Sequence, residues 1–123
     1  MASGEKPATP LSEEALPLLA ARFRALADPS RLHLLGILMC GERSVQALVE
    51  ETALSQTNVS RHLGVLRREG IVARRRDGNR AVYRIVDATV VKLCQLACGG
   101  LTGRLSQELG ALPEARDWRG YGI

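Results

Sequence analysis

Between Gln56 and Arg84 the chain carries eight arginines, at positions 61, 67, 68, 74, 75, 76, 80 and 84, against two carboxylates, Glu69 and Asp77. The whole chain of 123 residues has a net charge of +4, so everything outside this segment is net acidic. Guanidinium groups gathered in this way suit a polyanion. Each can neutralise a phosphate and release its counterions, and each can grip guanine with two hydrogen bonds in a major groove. Gln56-Thr57-Asn58 stands just ahead of them, and Gln or Asn amides pair with adenine in the same way. At 3.6 residues per turn, Thr57, Ser60, Arg61, Gly64 and Arg68 share a helix face with no large apolar side chain. Val59, His62, Leu63 and Leu66 share the opposite face. A solvated helix surface explains such a polar face when it is taken alone. The arginine run directly downstream tips the reading towards double-stranded DNA. The candidate DNA contacts are Gln56, Thr57, Asn58, Ser60, Arg61, Gly64 and Arg68 on the helix, with Arg74, Arg75, Arg76 and Arg80 beyond it. For Arg75 the alternative is a salt bridge within the domain.

A second chemistry rests on three thiols, Cys40, Cys94 and Cys98. Cys94 and Cys98 are one helical turn apart. An odd number of cysteines behind a polar, charged N-terminus points to thiols rather than a disulfide framework. Small buried hydrophobes are the alternative fate of such residues. His62 and His33 read as hydrogen-bonded packing residues. The sequence has no phosphate-binding glycine loop, no metal-hydrolase motif and no Ser-His-Asp or Cys-His arrangement, so no enzyme is expected.

The elements that must position these groups are legible from caps and periodicity. Residues 1–10 read as a flexible arm, 11–109 as one folded domain and 110–123 as a loosely ordered tail. A first helix is expected from Ser12 or Pro17 to Ala27, with Leu19, Phe23 and Leu26 as its stripe. Asp28-Pro29 caps and opens a second, running to Cys40 and closed by Gly41. Ser44 caps a third, Val45 to Glu51. Ser55 caps a fourth, Gln56 to Glu69, with Leu54 and Val59 at the staple positions. Strands are expected over 71–76 and 81–86, joined by a turn at Asp77-Gly78-Asn79. Asp87 caps a last helix from Ala88 to about Leu109, which Gly99-Gly100 weakens by about 1 kcal/mol each. The order α-α-α-α-β-β-α describes a mainly α domain with a β-hairpin wing, a winged helix-turn-helix. Apolar residues make up 46% of the chain and aromatics 3%. A small aliphatic core flanked by two apolar helices predicts a homodimer, hence a palindromic operator. The longest apolar run, Leu34 to Cys40, is too short to span a bilayer, so a cytoplasmic protein without membrane contact is expected.

Five stretches taken together resemble the ArsR/SmtB family of bacterial repressors. They are Ala25-Leu-Ala-Asp-Pro-Ser-Arg-Leu32, Leu54-Ser-Gln-Thr-Asn-Val-Ser-Arg-His-Leu63, Leu66-Arg-Arg-Glu-Gly-Ile-Val72, Arg75-Arg76-Asp-Gly and Tyr83-Arg-Ile85. The resemblance implies a dimer built from the first and last helices, and DNA release when an effector binds. The family's Cys-x-Cys metal motif is absent, because that region reads Ser44-Val-Gln-Ala-Leu48. Of the family's zinc site in the last helix only Asp87 matches; Thr89, Gly100 and Gly103 occupy the other positions. The chain also resembles the persulfide- and redox-sensing branch, notably at Gly41-Glu-Arg-Ser-Val45, although the two cysteine positions of that branch hold Gly36 and Thr102. Cys40 and Cys98 are displaced from those positions by four residues each. The expected function is a repressor released by an effector acting on Cys40, Cys94 and Cys98. Arsenite or a soft metal ion bound by the thiolates, or a persulfide or oxidant, would be that effector. A winged-helix protein-interaction module, or a repressor with no thiol effector, is the alternative.

Overall fold

The computed structural model describes residues 11–109, so the expectations for the N-terminal arm and the C-terminal tail lie outside it. Five helices and three strands follow in the order α1 (Ala15–Leu26), α2 (Pro29–Leu38), β1 (Arg43–Ser44), α3 (Val45–Glu51), α4 (Gln56–Arg68), β2 (Val72–Asp77), β3 (Arg80–Ile85) and α5 (Ala88–Leu109). The architecture is mostly helical, with a hairpin extended by one short strand into an antiparallel sheet of order β1-β3-β2.

The helix starts follow from their caps. The side chain of Asp28 accepts the backbone N–H of Arg31, Ser44 accepts that of Ala47, and Ser55 accepts that of Asn58. Each satisfies a donor that the first turn leaves without a partner. Pro17 lies inside the first turn of α1 rather than at its start. It is tolerated there because that N–H has no helical acceptor. At the far end of α2 the expected boundary moves back from Cys40 to Leu38. The N–H groups of Cys40 and Gly41 reach only the third carbonyl before them, those of Ile37 and Leu38, and Gly41 takes a φ of 142°. The helix thus tightens and stops two residues early.

The hairpin is tighter than a three-residue turn. Asp77 pairs with Arg80, which leaves Gly78-Asn79 as the loop, with Gly78 at a φ of 68°. A glycine at the first central position is what a type II′ hairpin demands. β1 was missing from the expected order. It joins the sheet through Arg43 opposite Tyr83 and Ser44 opposite Val82. α5 runs unbroken through Gly99-Gly100.

The core is aliphatic. Leu34, Leu35, Leu48, Val59, Leu63, Leu66 and Ile71 are fully buried, with Ala25, Leu26, Val72, Tyr83 and Val90 around them. All five helices and both strands of the hairpin donate to this cluster, so α4 is held on its inner face by the whole domain. Two helices keep apolar side chains outside. Phe23 of the expected α1 stripe is 47% exposed, and Leu18 and Leu96 are 72% and 75% exposed. No described helix is long and apolar enough to cross a membrane.

His62 sits on the core side of α4, where its Nδ1 faces Nη1 of Arg31 at 3.1 Å. A guanidinium only donates, so Nδ1 accepts and the neutral ring carries its proton on Nε2. Burial is the main cause that pushes this imidazole below its ordinary pKa of 6.5; Arg61 and Arg31 act in the same direction and Asp28 opposes them. The unfolded chain therefore binds the proton more readily than the folded one. Stability from this site is complete above pH 6.5 and is lost as pH falls through the lower folded value. Urea midpoints measured at about pH 7.5 and pH 5.5 should drop for the wild type, and drop less for His62→Gln, whose amide oxygen can still accept from Arg31. An equal drop in both proteins would refute this assignment.

Candidate nucleic-acid interface

The polar face of α4 forms one wall of a cleft of about 520 Å³, with α3 and the β2–β3 hairpin around it. Spacing explains which residues meet there. Gln56, Ser60, Gly64 and Arg67 recur at i, i+4, i+8 and i+11, a line along the side of the helix that faces the hairpin. From the hairpin, Arg74, Arg76 and Arg80 line the opposite wall, and Gln46 and Glu50 of α3 close the third side. Alternation along β2 puts Arg74 and Arg76 on the cleft face together. Four arginines against one carboxylate make the cleft strongly cationic, an arrangement that focuses field on a phosphate backbone.

Of the residues expected to touch DNA, Gln56, Ser60, Gly64, Arg74, Arg76 and Arg80 are thus brought to one cleft. Thr57, Arg61 and Arg68 are exposed on the outer edge of the same helix face. Asn58 is half-buried, and its Oδ1 accepts a hydrogen bond from Nη2 of Arg61 at 3.2 Å. Arg80 also lies 3.5 Å from Asp77, an exposed pair of little energetic weight.

Arg75 is placed differently. It points to the far face of the hairpin and grips Glu42, with Nη2 at 2.8 Å from one carboxylate oxygen and Nε at 3.2 Å from the other. That pairing holds the Glu42 carboxyl below its ordinary range, chiefly through the hydrogen bond from Arg75. Arg75 therefore ties the wing to the loop after α2, the intradomain salt bridge that was the alternative for this residue. Arg67, Gln46 and Glu50 were not among the expected contacts. The signal for Arg67 was present in the sequence, because continuing the helical spacing from Gln56 through Ser60 and Gly64 arrives at it.

The fold leaves room for a side chain at Gly64, which lines the cleft. A Cβ built there meets only Nη1 of Arg68, at the ordinary contact distance of 3.6 Å. The fold does not require glycine at this position, and a helix interior ordinarily disfavours it. Gly64→Ala should stabilise the protein by about 0.5–1 kcal/mol yet weaken its binding to duplex DNA, a combination readable by chemical denaturation beside fluorescence anisotropy. Unchanged DNA affinity in this variant would show that nothing approaches the helix at that point.

Cys40 is exposed and borders a second groove with Val91, Lys92 and Gln95 of α5, whereas neither Cys94 nor Cys98 lines that groove. Cys94 is half-buried against the core, and burial, reinforced by the neighbouring Cys98, pushes its thiol up from its ordinary pKa. Among the described residues no group of three His, Cys, Asp or Glu side chains is placed to hold a metal ion.

Residues 28–74 match the family model described as bacterial regulatory protein, arsR family. The HTH-type transcriptional regulator Rv0081 of Mycobacterium tuberculosis is 39% identical over 106 residues, spanning 85% of this chain and 93% of that protein. Its crystal structure superposes with a TM-score of 0.72 over 80% of this chain and 100% of that one. The solution structure of the homodimeric winged helix-turn-helix DNA-binding domain of Mb0332 from Mycobacterium bovis is 30% identical. It gives a TM-score of 0.73 over 87% of this chain and 99% of that one. A "probable mercury resistance operon repressor" of Streptomyces lividans is 47% identical over 75 residues, 61% of this chain and 60% of that protein. With its capped helix pair, polar-faced α4 and cationic hairpin in place, the chain belongs to the ArsR family of winged helix-turn-helix, DNA-binding transcriptional regulators.

Proposed function

We propose that this regulator is a homodimeric repressor that binds a palindromic operator through two copies of the α4–wing cleft. The observation that carries this reading is the convergence of Gln56, Ser60, Gly64, Arg67, Arg74 and Arg76 on one cationic cleft from two separate elements. α4 enters the major groove and reads base edges, with Gln56 and Ser60 at its inner edge and Thr57, Arg61 and Arg68 at its outer edge. Arg74, Arg76 and Arg80 lie along the flanking phosphates. Leu18, Leu93 and Leu96 supply apolar surface for the partner subunit. Selection from a pool of random duplexes tests the reading. It should recover an inverted repeat whose half-sites are one helical turn apart, about 34 Å. Recovery of unrelated sequences, with equal affinity for each, would overturn it.

The effector reading narrows to the α5 thiols. Cys94 and Cys98 are close enough for one to raise the other's pKa, and the mercury-related relative supports a thiol-seeking effector such as a soft ion, arsenite or a persulfide donor. Cys40 borders a different groove. The wild type should leave its operator on addition of one of these agents, and Cys94→Ser/Cys98→Ser should stay bound. A double variant that responds like the wild type would remove α5 from the response.

A further inference from the structure

We propose that Arg22 is the positioning residue that fixes the recognition helix to the two outer helices, and thereby sets the half-site spacing that the dimer accepts. This rests on the dimeric operator reading above. Arg22 lies in the middle of α1, outside the cleft and outside the core. Its Nη1 donates to the carbonyl oxygen of Glu69 at 2.6 Å, and its Nη2 donates to Oδ2 of Asp87, also at 2.6 Å. Glu69 is the C-terminal cap of α4, where helix carbonyls lack partners and the helix dipole is negative. Asp87 opens α5: its other oxygen accepts the N–H groups of Thr89 at 2.9 Å and Val90 at 3.3 Å. One guanidinium therefore joins the end of the recognition helix to α1 and to the start of α5. The pair is partly shielded from water, with the Asp87 side chain 18% exposed. α1 and α5 are the helices that carry the exposed apolar side chains Leu16, Leu18, Leu93 and Leu96. The link thus runs from the dimer-forming faces to the DNA-reading element.

The lever arm makes the link matter. α4 has 13 residues. At 1.5 Å per residue it is about 20 Å long. A pivot of about 10° at its C-terminal end carries Gln56 and Thr57 by about 3.4 Å, one base-pair step. Leu63 and Leu66 hold the inner face by apolar packing, which is non-directional, and the hydrogen bond there, from Arg31 to His62, lies mid-helix and away from the pivot. The two short hydrogen bonds from Arg22 supply direction at the pivot.

The experiment takes the operator selected by the wild type and varies the spacer between its half-sites by one and two base pairs. The wild type should lose about tenfold in affinity per base pair of change. Arg22→Gln and Asp87→Asn should bind the altered spacers within about threefold of the selected one, and Arg22→Lys should fall between. Asparagine keeps the α5 cap, so Asp87→Asn carries the test even if Arg22→Gln folds poorly. A purely structural role would lower the melting temperature and all affinities together without changing this profile. Variants with the wild-type spacing profile overturn the proposal while leaving the dimeric reading intact. A wild type indifferent to spacing overturns both.

Discussion

Arg61→Ala/Arg74→Ala/Arg76→Ala should bind the selected operator at least about 10³-fold more weakly than the wild type, with an unchanged melting temperature. Arg61 is exposed on the outer edge of α4, and removing a bidentate pair with a base costs about 1–3 kcal/mol. Its hydrogen bond to Asn58 is solvent-exposed and easily exchanged for one to a base. Arg74 and Arg76 face the cleft from β2, and deleting one phosphate-binding arginine should lower the salt slope by about 0.9. Two such residues in each of two subunits lower it by about 3.6 per dimer. Arg75→Ala is the internal control. It removes the same charge from the middle of the run, but its guanidinium is engaged by Glu42 on the other face. Its effect on affinity should be several times smaller than that of Arg74→Ala. Anisotropy titrations between about 50 and 200 mM salt give both quantities. An unchanged affinity and slope in the triple variant would remove the cleft from DNA binding.

Leu93→Glu/Leu96→Glu should convert the dimer to a folded monomer and lower operator affinity by about 10²–10⁴-fold, the advantage of joining two half-site contacts. Both side chains are exposed in the protomer, at 38% and 75%. The domain core therefore does not depend on them, and far-UV circular dichroism and cooperative melting should be retained. Four carboxylates brought together at a two-fold interface have no desolvated partners, which makes association unfavourable. Light scattering at micromolar concentration reads the state directly. A dimer of wild-type mass would show that this face of α5 lies outside the interface.

What the sequence showed and what it hid divide along one physical line, local against long-range. Asp28, Ser44 and Ser55 were readable as caps because a cap acts within three residues. The hairpin was readable because Asp77-Gly78-Asn79 carries its own backbone preference. The inner and outer faces of α4 followed from periodicity alone, and with them most of the cleft. β1 was not legible. Two residues have no alternation to detect, and only Val82 and Tyr83, far along the chain, make Arg43 and Ser44 a strand. The partner of Arg75 is 33 residues away in sequence, and those of Arg22 are 47 and 65 residues away. Nothing in the local pattern around an arginine says whether its counter-charge will be a phosphate or a folded carboxylate. Strand alternation does separate Arg75 from Arg74 and Arg76, and so left a salt bridge within the domain open for it, but only the folded position of Glu42 decides that alternative. The cysteines were the hardest case. Spacing placed Cys94 and Cys98 together on α5, whereas the surroundings of Cys40, in a groove with Val91, Lys92 and Gln95, depend on a helix far along the chain.

Two α4–wing clefts, related by a two-fold axis, should grip one operator. Hydroxyl-radical footprinting of the wild-type dimer on its selected duplex tests this most directly. It should show protected backbone blocks arranged symmetrically about the centre of the site. Their two inner major-groove faces should lie about 34 Å apart. The outer flanks, where the wings lie, should lose protection in the Arg61/Arg74/Arg76 variant. A single protected block, or protection of the flanks that survives in that variant, would rule out two-fold binding through these clefts.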